Sequence, residues 1–153
     1  MATTNRRLSR IQRITIIFVV LCSAVTLVSC NKGGGGGSGD KFSFSAENTN
    51  DARQNTVDMT VFLNAGETLN FGTCPGSVDG ANDNGTDTWI RLYDPMGAEV
   101  AQNDHDCHGV GDENGSFISY TALVDGNYEM SAGCHDSGHH EPCSGVVGYE
   151  IEP

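Results

Sequence analysis

The sequence predicts one all-β domain over residues 41–153, a small antiparallel β-sandwich of the jelly-roll type with about eight strands. Two observations lead to this prediction. From Lys41 onward, short runs of alternating apolar and polar residues are repeatedly closed by a turn that contains glycine. Over the same region, no stretch keeps its apolar residues at helical spacing for long enough to bury one face of a helix.

The first half of the domain is predicted to contain an opening strand and a hairpin. Phe42 and Phe44 alternate in the opening strand, and residues 57–63 alternate more clearly. Residues 64–66 then form a turn with glycine that leads into a strand at 69–71.

A second hairpin is predicted at 89–100. Residues 89–93 are dense in large apolar side chains, residues 94–97 form a turn with proline and glycine at favoured positions, and Val100 lies on the returning strand. Because Trp89 belongs to the most apolar of these runs, it is predicted to be a core residue. Later runs at 118–120, 128–130 and 147–151 complete the sandwich.

Residues 1–29 are predicted to be a signal peptide. They contain four arginines, at positions 6, 7, 10 and 13, and no acidic residue, and an apolar run at 14–29 follows. This run is shorter than the roughly 20 residues of a membrane span. It ends in Leu27-Val28-Ser29-Cys30, which resembles the lipobox of bacterial lipoproteins. The resemblance implies that Cys30 carries a diacylglycerol thioether and begins the mature chain; an uncleaved signal anchor is the alternative.

Residues 30–40 are predicted to be a lipidated tether. Residues 33–37 are all glycine, and a composition of this kind behaves as flexible coil. Asn31 stands where an aspartate is often linked to retention in the inner membrane. Delivery to the outer membrane is therefore expected if the cell is Gram-negative, and the leaflet is left open.

The chain beyond the leader is strongly acidic. All twenty acidic residues follow position 29, whereas four of the eight basic residues precede it, so four minus twenty gives a net charge of −16. Such a surface repels phosphate backbones. The charge therefore argues against a nucleic-acid partner and favours cations as small partners.

Four cysteines are expected to form two disulfides. Cys22 leaves with the leader and Cys30 carries lipid, which leaves Cys74, Cys107, Cys134 and Cys143. Outside the cytoplasm thiols oxidise, and four cysteines allow three connectivities. The sequence does not select among them, but we favour Cys134–Cys143 as a short clasp, which leaves Cys74 to join Cys107.

Three stretches, in order along the chain, resemble the bacterial pre-peptidase C-terminal domain, a calcium-associated β-sandwich of exported proteins. Residues 61–69 are similar to its apolar strand, glycine turn and second strand; residues 87–97 to its aspartate, strand and Tyr-Asp-Pro-x-Gly turn; residues 119–128 to its closing hairpin. The resemblance covers most of residues 42–152 and implies a sandwich fold. The cysteines and the lipid anchor depart from the family, so its role as an enzyme appendage does not carry over.

The loop that begins at residue 103 is the predicted calcium site. Calcium takes about six to eight oxygen ligands, and carboxylates at alternate positions before a glycine suit it. Asp87 lies just before the first strand of the hairpin predicted at 89–100. Because the second strand of that hairpin leads into this loop, Asp87 is expected to reach the same ion. The predicted ligands are Asp87, Asn103, Asp104, Asp106 and Asp112. Solvated loop charges are the alternative.

Histidines beside the cysteines raise a second metal hypothesis, a zinc or copper site. His105, His108, His135, His139 and His140 offer nitrogen ligands, but no C-x-x-C pair accompanies them. The sequence also lacks G-x-S-x-G and H-E-x-x-H motifs, so catalysis is not predicted.

These observations favour a membrane-anchored extracytoplasmic binding or adhesion module, supported by calcium, whose ligand is a polysaccharide or a protein. Two alternatives stay open. One is a structural coat or assembly subunit, and the other is a metal-dependent hydrolase or metal-binding protein that uses the histidine loops.

Overall fold

The computed structural model describes residues 39–105, 107, 114–136 and 141–153. Within them lie eight strands: β1 (Asp40–Ala46), β2 (Val57–Leu63), β3 (Thr68–Gly72), β4 (Thr88–Tyr93), β5 (Glu99–Asn103), β6 (Phe117–Thr121), β7 (Gly126–Cys134) and β8 (Cys143–Glu152). They form two four-stranded antiparallel sheets, with orders β1-β8-β3-β6 and β2-β7-β4-β5. This is the strand order of a jelly roll, so the predicted fold class is confirmed. No helix in this part of the chain is long and apolar enough to cross a membrane.

The core lies between the two sheets and follows from the period of two along each strand. In β1, for example, Phe42 and Phe44 are buried while the serines between and after them are exposed. The core side chains at 0% exposure come from both sheets: Leu63, Leu69, Phe71, Ile90, Leu92, Tyr128, Met130, Ala132 and Val147. Alternation in the sequence therefore accounts for the inward side chains of strands such as β1.

Trp89 does not belong to this core. Ile90 and Leu92 of β4 point inward, so the alternation turns Trp89 and Arg91 to the outer face of the sheet. There Trp89 is partly buried, and the guanidinium carbon of Arg91 lies 5.2 Å from the centre of its ring. The prediction of a core tryptophan was wrong because apolar content alone does not fix which parity of a strand faces inward.

The two ends of the sandwich differ. At one end, which we call the turn end, short connections at 64–67, 94–98 and 122–125 link strands. The chain also enters and leaves there, because Asp40 pairs with Tyr149 and Thr68 pairs with Glu152. The opposite end, the loop end, carries the four longer connections, at 47–56, 73–87, 104–116 and 135–142. Strands of this length separate the two ends by roughly 20 Å.

Both disulfides lie at the loop end. Cys74 is bonded to Cys107, which joins the β3–β4 loop to the β5–β6 loop, and Cys134 is bonded to Cys143, which joins the end of β7 to the start of β8. The favoured connectivity is confirmed. The longest loops of the domain are thus cross-linked.

The β1–β2 loop is fastened onto the end of β7. The hydroxyl of Thr49 accepts a hydrogen bond of 2.8 Å from the backbone N–H of Cys134 and donates one of 2.8 Å to its carbonyl. A Cβ atom on Gly133 would stand 3.0 Å from atoms of Thr49 and Ala52, so the close approach requires glycine. Because these contacts are buried, the loop is an integral part of the domain.

Candidate functional site at the loop end

Asp87 and His135 lie side by side where β4 begins and β7 ends. Thr88 pairs with Cys134 across the two strands, and one step beyond this pair the backbone N–H of His135 donates a hydrogen bond of 3.1 Å to the Asp87 carbonyl. The side chains follow the backbone, and His135 Nδ1 lies 3.1 Å from Asp87 Oδ2. The register of two central strands therefore sets this pair.

His105 completes a group of three. It follows β5, and its ring centre lies 5.8 Å from that of His135 with the ring planes 88° apart. One ligand atom from each of Asp87, His105 and His135 lies within 4.8 Å of the other two. The side chains are 39%, 48% and 27% exposed, so the group opens to solvent.

Trp89 forms one wall of this group. Its ring centre lies 5.4 Å from that of His135 with an interplanar angle of 64°, an edge-to-face arrangement. A row of rings and charges therefore runs along the outer face of the sheet from Arg91 through Trp89 to the two histidines.

Three buried hydroxyls support the group from below. Thr73, Thr88 and Ser116 are each 0% exposed. The Thr88 hydroxyl lies 2.8 Å from that of Thr73 and 3.1 Å from that of Ser116, while Ser116 Oγ donates a bond of 2.8 Å to the Thr88 carbonyl. This network fixes Thr88, the residue after Asp87, to the neighbouring loops.

The residues of the predicted calcium site have different positions. Asn103 ends β5, and its Oδ1 accepts a hydrogen bond of 3.2 Å from the Phe117 N–H. Asp104 follows it, with Oδ2 3.9 Å from His105 Nδ1. Asp106 and Asp112 lie outside the described residues, as does Cys30. Calcium binding stays a prediction. Asp87 instead lies beside His105 and His135, two of the histidines considered above as zinc or copper ligands.

The acidic loop before Asp87 is explained by turn chemistry. The Asn82 Oδ1 atom accepts a hydrogen bond of 2.8 Å from the Asn84 N–H, and Asp83 Oδ1 accepts one of 2.7 Å from the Gly85 N–H. These are the turns that short Asp and Asn side chains make with the backbone two residues on. The loop is thus ordered by its own side chains.

A shallow polar groove also opens at the loop end, beside the β1–β2 connection. Its volume is about 520 Å³, within the range of ligand clefts. The residues that line it come from the end of β1, the following loop and the chain just before β8: Ser45, Ala46, Glu47, Asn48, Asn55 and Pro142.

No protein-family model and no curated protein matches the chain. The resemblance to the pre-peptidase C-terminal domain therefore stays a prediction. Among solved structures, the chain is similar to a periplasmic inhibitor of g-type lysozyme from Aeromonas hydrophila, with 14% identity, a TM-score of 0.49 and coverage of 76% of this chain and 89% of that one. It is also similar to a mutant of the Escherichia coli periplasmic inhibitor of g-type lysozyme, with 14% identity, a TM-score of 0.47 and coverage of 79% and 94%.

Proposed function

We propose that this protein is a lipid-anchored, extracytoplasmic binding module without catalytic activity, whose loop end carries the ligand-binding surface. One observation carries the proposal: the chain enters the sandwich at the turn end, and all four long loops lie at the other end. In sandwiches, loops held at one end of a rigid scaffold are the usual place for binding residues.

The anchor is proposed from the sequence at 27–30, which resembles a lipobox and precedes a glycine run. From its composition, the chain between Cys30 and Asp40 is expected to reach roughly 16–19 Å on average, by the square-root rule for glycine-rich coils. The anchor is proposed to lie in the outer membrane of a Gram-negative cell or in the equivalent envelope surface.

The proposed ligand is an uncharged or cationic envelope polymer, a polysaccharide or a protein. The net charge of −16 beyond the leader disfavours polyanions, and the polar groove beside the β1–β2 loop offers hydrogen-bonding groups rather than an apolar slot. The two disulfides cross-link residues of these loops, and a cross-link of this kind lowers the entropic cost of binding.

Calcium is proposed to support the β5–β6 loop through the predicted ligands Asp87, Asn103, Asp104, Asp106 and Asp112. The melting temperature is expected to rise with added calcium, and this rise is expected to be lost in Asp104→Ala. A melting temperature that is insensitive to calcium and to chelators would remove calcium from the proposal.

The binding experiment compares the two ends of the sandwich. Mature protein in detergent is titrated by calorimetry with purified envelope polysaccharides and surface proteins, alongside a loop-end variant, Asn55→Arg, and a turn-end control, Met96→Arg. Binding that is lost in Asn55→Arg and kept in Met96→Arg is expected, because Asn55 lines the groove and Met96 is an exposed turn residue at the far end. The absence of heat with every polymer, or equal loss in both variants, contradicts the proposal.

Self-association is a second candidate function, favoured by exposed apolar side chains. Phe62, Met96, Leu123 and Val124 are each more than half exposed, at 57%, 88%, 79% and 51%. A coat or assembly subunit predicts a molar mass that rises with concentration in light scattering, and a monomer at all concentrations excludes it.

A further inference from the structure

We propose that Asp87, His105 and His135 bind a divalent transition-metal ion of the zinc and copper class. The donor set is two imidazole nitrogens and one carboxylate oxygen, within 4.8 Å of one another. Imidazole suits zinc and copper, whereas calcium is bound by oxygen alone. Three protein ligands with an open fourth position form a known type of zinc site.

The distances are compatible with such an ion. Ligand atoms about 2.1 Å from a tetrahedral ion stand roughly 3.4 Å apart. His135 Nδ1 and Asp87 Oδ2 are already separated by 3.1 Å. The ligand atom of His105 lies within 4.8 Å of the other two, so this side chain, which is 48% exposed, would move closer to an ion bound by the pair.

The surroundings favour a cation. Asp87 Oδ1 is buried and has no hydrogen-bond partner in the described part of the chain, so the carboxylate has unused capacity for a positive charge. Each histidine is also held near a disulfide, since His135 follows Cys134 and His105 lies two residues before Cys107. Pre-ordered ligands lower the cost of assembling the site.

A metal at this position would tie three connections together. Asp87 ends the β3–β4 loop, His105 lies in the β5–β6 loop and His135 begins the β7–β8 loop. The ion would act as a third cross-link beside the two disulfides. The site depends neither on the lipid anchor nor on a polymer ligand, but it assigns Asp87 to the histidines instead of to calcium.

Calorimetry with zinc chloride tests the site on mature, detergent-solubilised protein purified without a histidine tag. His105→Ala, His135→Ala and Asp87→Asn are each expected to weaken zinc binding by at least about tenfold. The control Asp58→Asn removes the same charge from an exposed position on β2 and is expected to leave the affinity unchanged. Affinity that survives all three ligand changes, or displacement of zinc by a similar concentration of calcium, overturns the proposal.

A second measurement locates the ion without any substitution. Trp89 is the single tryptophan of the chain, and its ring lies 5.4 Å from that of His135. Copper quenches tryptophan fluorescence at short range, so copper chloride is expected to quench it saturably, with zinc competing and calcium without effect. Fluorescence that persists when calorimetry shows copper fully bound would place the ion elsewhere and contradict the assignment, whether or not the variants fold.

Discussion

The Nε atom of Arg91 donates a hydrogen bond of 2.6 Å to the carbonyl oxygen of Asp51. This bond joins the centre of β4 to the β1–β2 loop, and it is made by a guanidinium that is 0% exposed. Nη1 of the same group donates to Glu99 over 2.6 Å and also to Gln102, both on β5. A single buried arginine therefore connects a loop and two strands on the outer face of the sheet.

Replacement of Arg91 by methionine is expected to lower the free energy of unfolding by about 2 kcal/mol, because the Asp51 carbonyl and the Glu99 carboxylate lose their donor. Arg53→Met is the control. Arg53 is half exposed and pairs with Asp51 at 3.5 Å, and a surface pair of this kind contributes at most about 1 kcal/mol. Urea unfolding measures the free energy of unfolding of both variants. If the two variants lose the same amount of stability, Arg91 has no special structural role.

The hydroxyl network beneath the site predicts that two threonine-to-valine variants differ in their free energy of unfolding. Thr88→Val keeps the side-chain shape but removes the buried hydroxyl that bonds to Thr73, Ser116 and the Asn114 carbonyl, and is expected to cost about 1–3 kcal/mol. Thr60→Val makes the same change at an exposed position of β2 and is expected to stay within about 0.5 kcal/mol of the wild type. Denaturant unfolding measures the free energy of unfolding of both variants. A Thr88→Val variant as stable as the wild type would show that the network does not stabilise the domain.

The two disulfides are expected to contribute unequally. Cys74–Cys107 spans 33 residues and Cys134–Cys143 spans 9. The chain-entropy relation assigns them about 4 and about 3 kcal/mol, respectively. Paired alanine variants compared by urea unfolding measure the two values. A larger loss from the short clasp would mean that contacts in the native loops, rather than the entropy of the unfolded chain, dominate.

Burial raises the pKa of Tyr93, Tyr120 and Tyr149 above the ordinary value of 10.0. Because the unfolded chain ionises first, the stability from these residues is complete below pH about 10 and declines as the pH rises through their folded pKa values. The free energy of unfolding is therefore expected to be lower at pH about 11 than at pH about 8. Identical phenolate titrations of the folded and the urea-unfolded protein would contradict this.

The strands followed from local patterns, and the pairing of Cys134 with Cys143 was favoured for its short spacing, whereas the site depended on long-range pairing. The alternation in residues 57–63 and the turn at 94–97 are visible within a few residues of sequence. The contact between Asp87 and His135 instead requires β4 to pair with β7 in one register, across 48 residues of chain. Histidines next to cysteines gave the type of ligand, but no local signal indicated which acidic residue would join them.

The burial of Arg91 lay beyond sequence reasoning for a similar reason. An arginine in an apolar strand is expected to be exposed on the outer face. It is buried here because the β1–β2 loop folds over that face and supplies the Asp51 carbonyl. Trp89 shares this outer face with Arg91, but its departure from expectation comes from the parity of β4, which turns Ile90 and Leu92 inward.

Mass spectrometry of the protein isolated from cell envelopes tests the central claim, that the domain is tethered to a membrane through a lipidated Cys30. The account predicts a mature chain that begins at Cys30 and carries a diacylglycerol thioether on that residue. An unmodified Cys30, or a chain that retains residues 1–29, would contradict it.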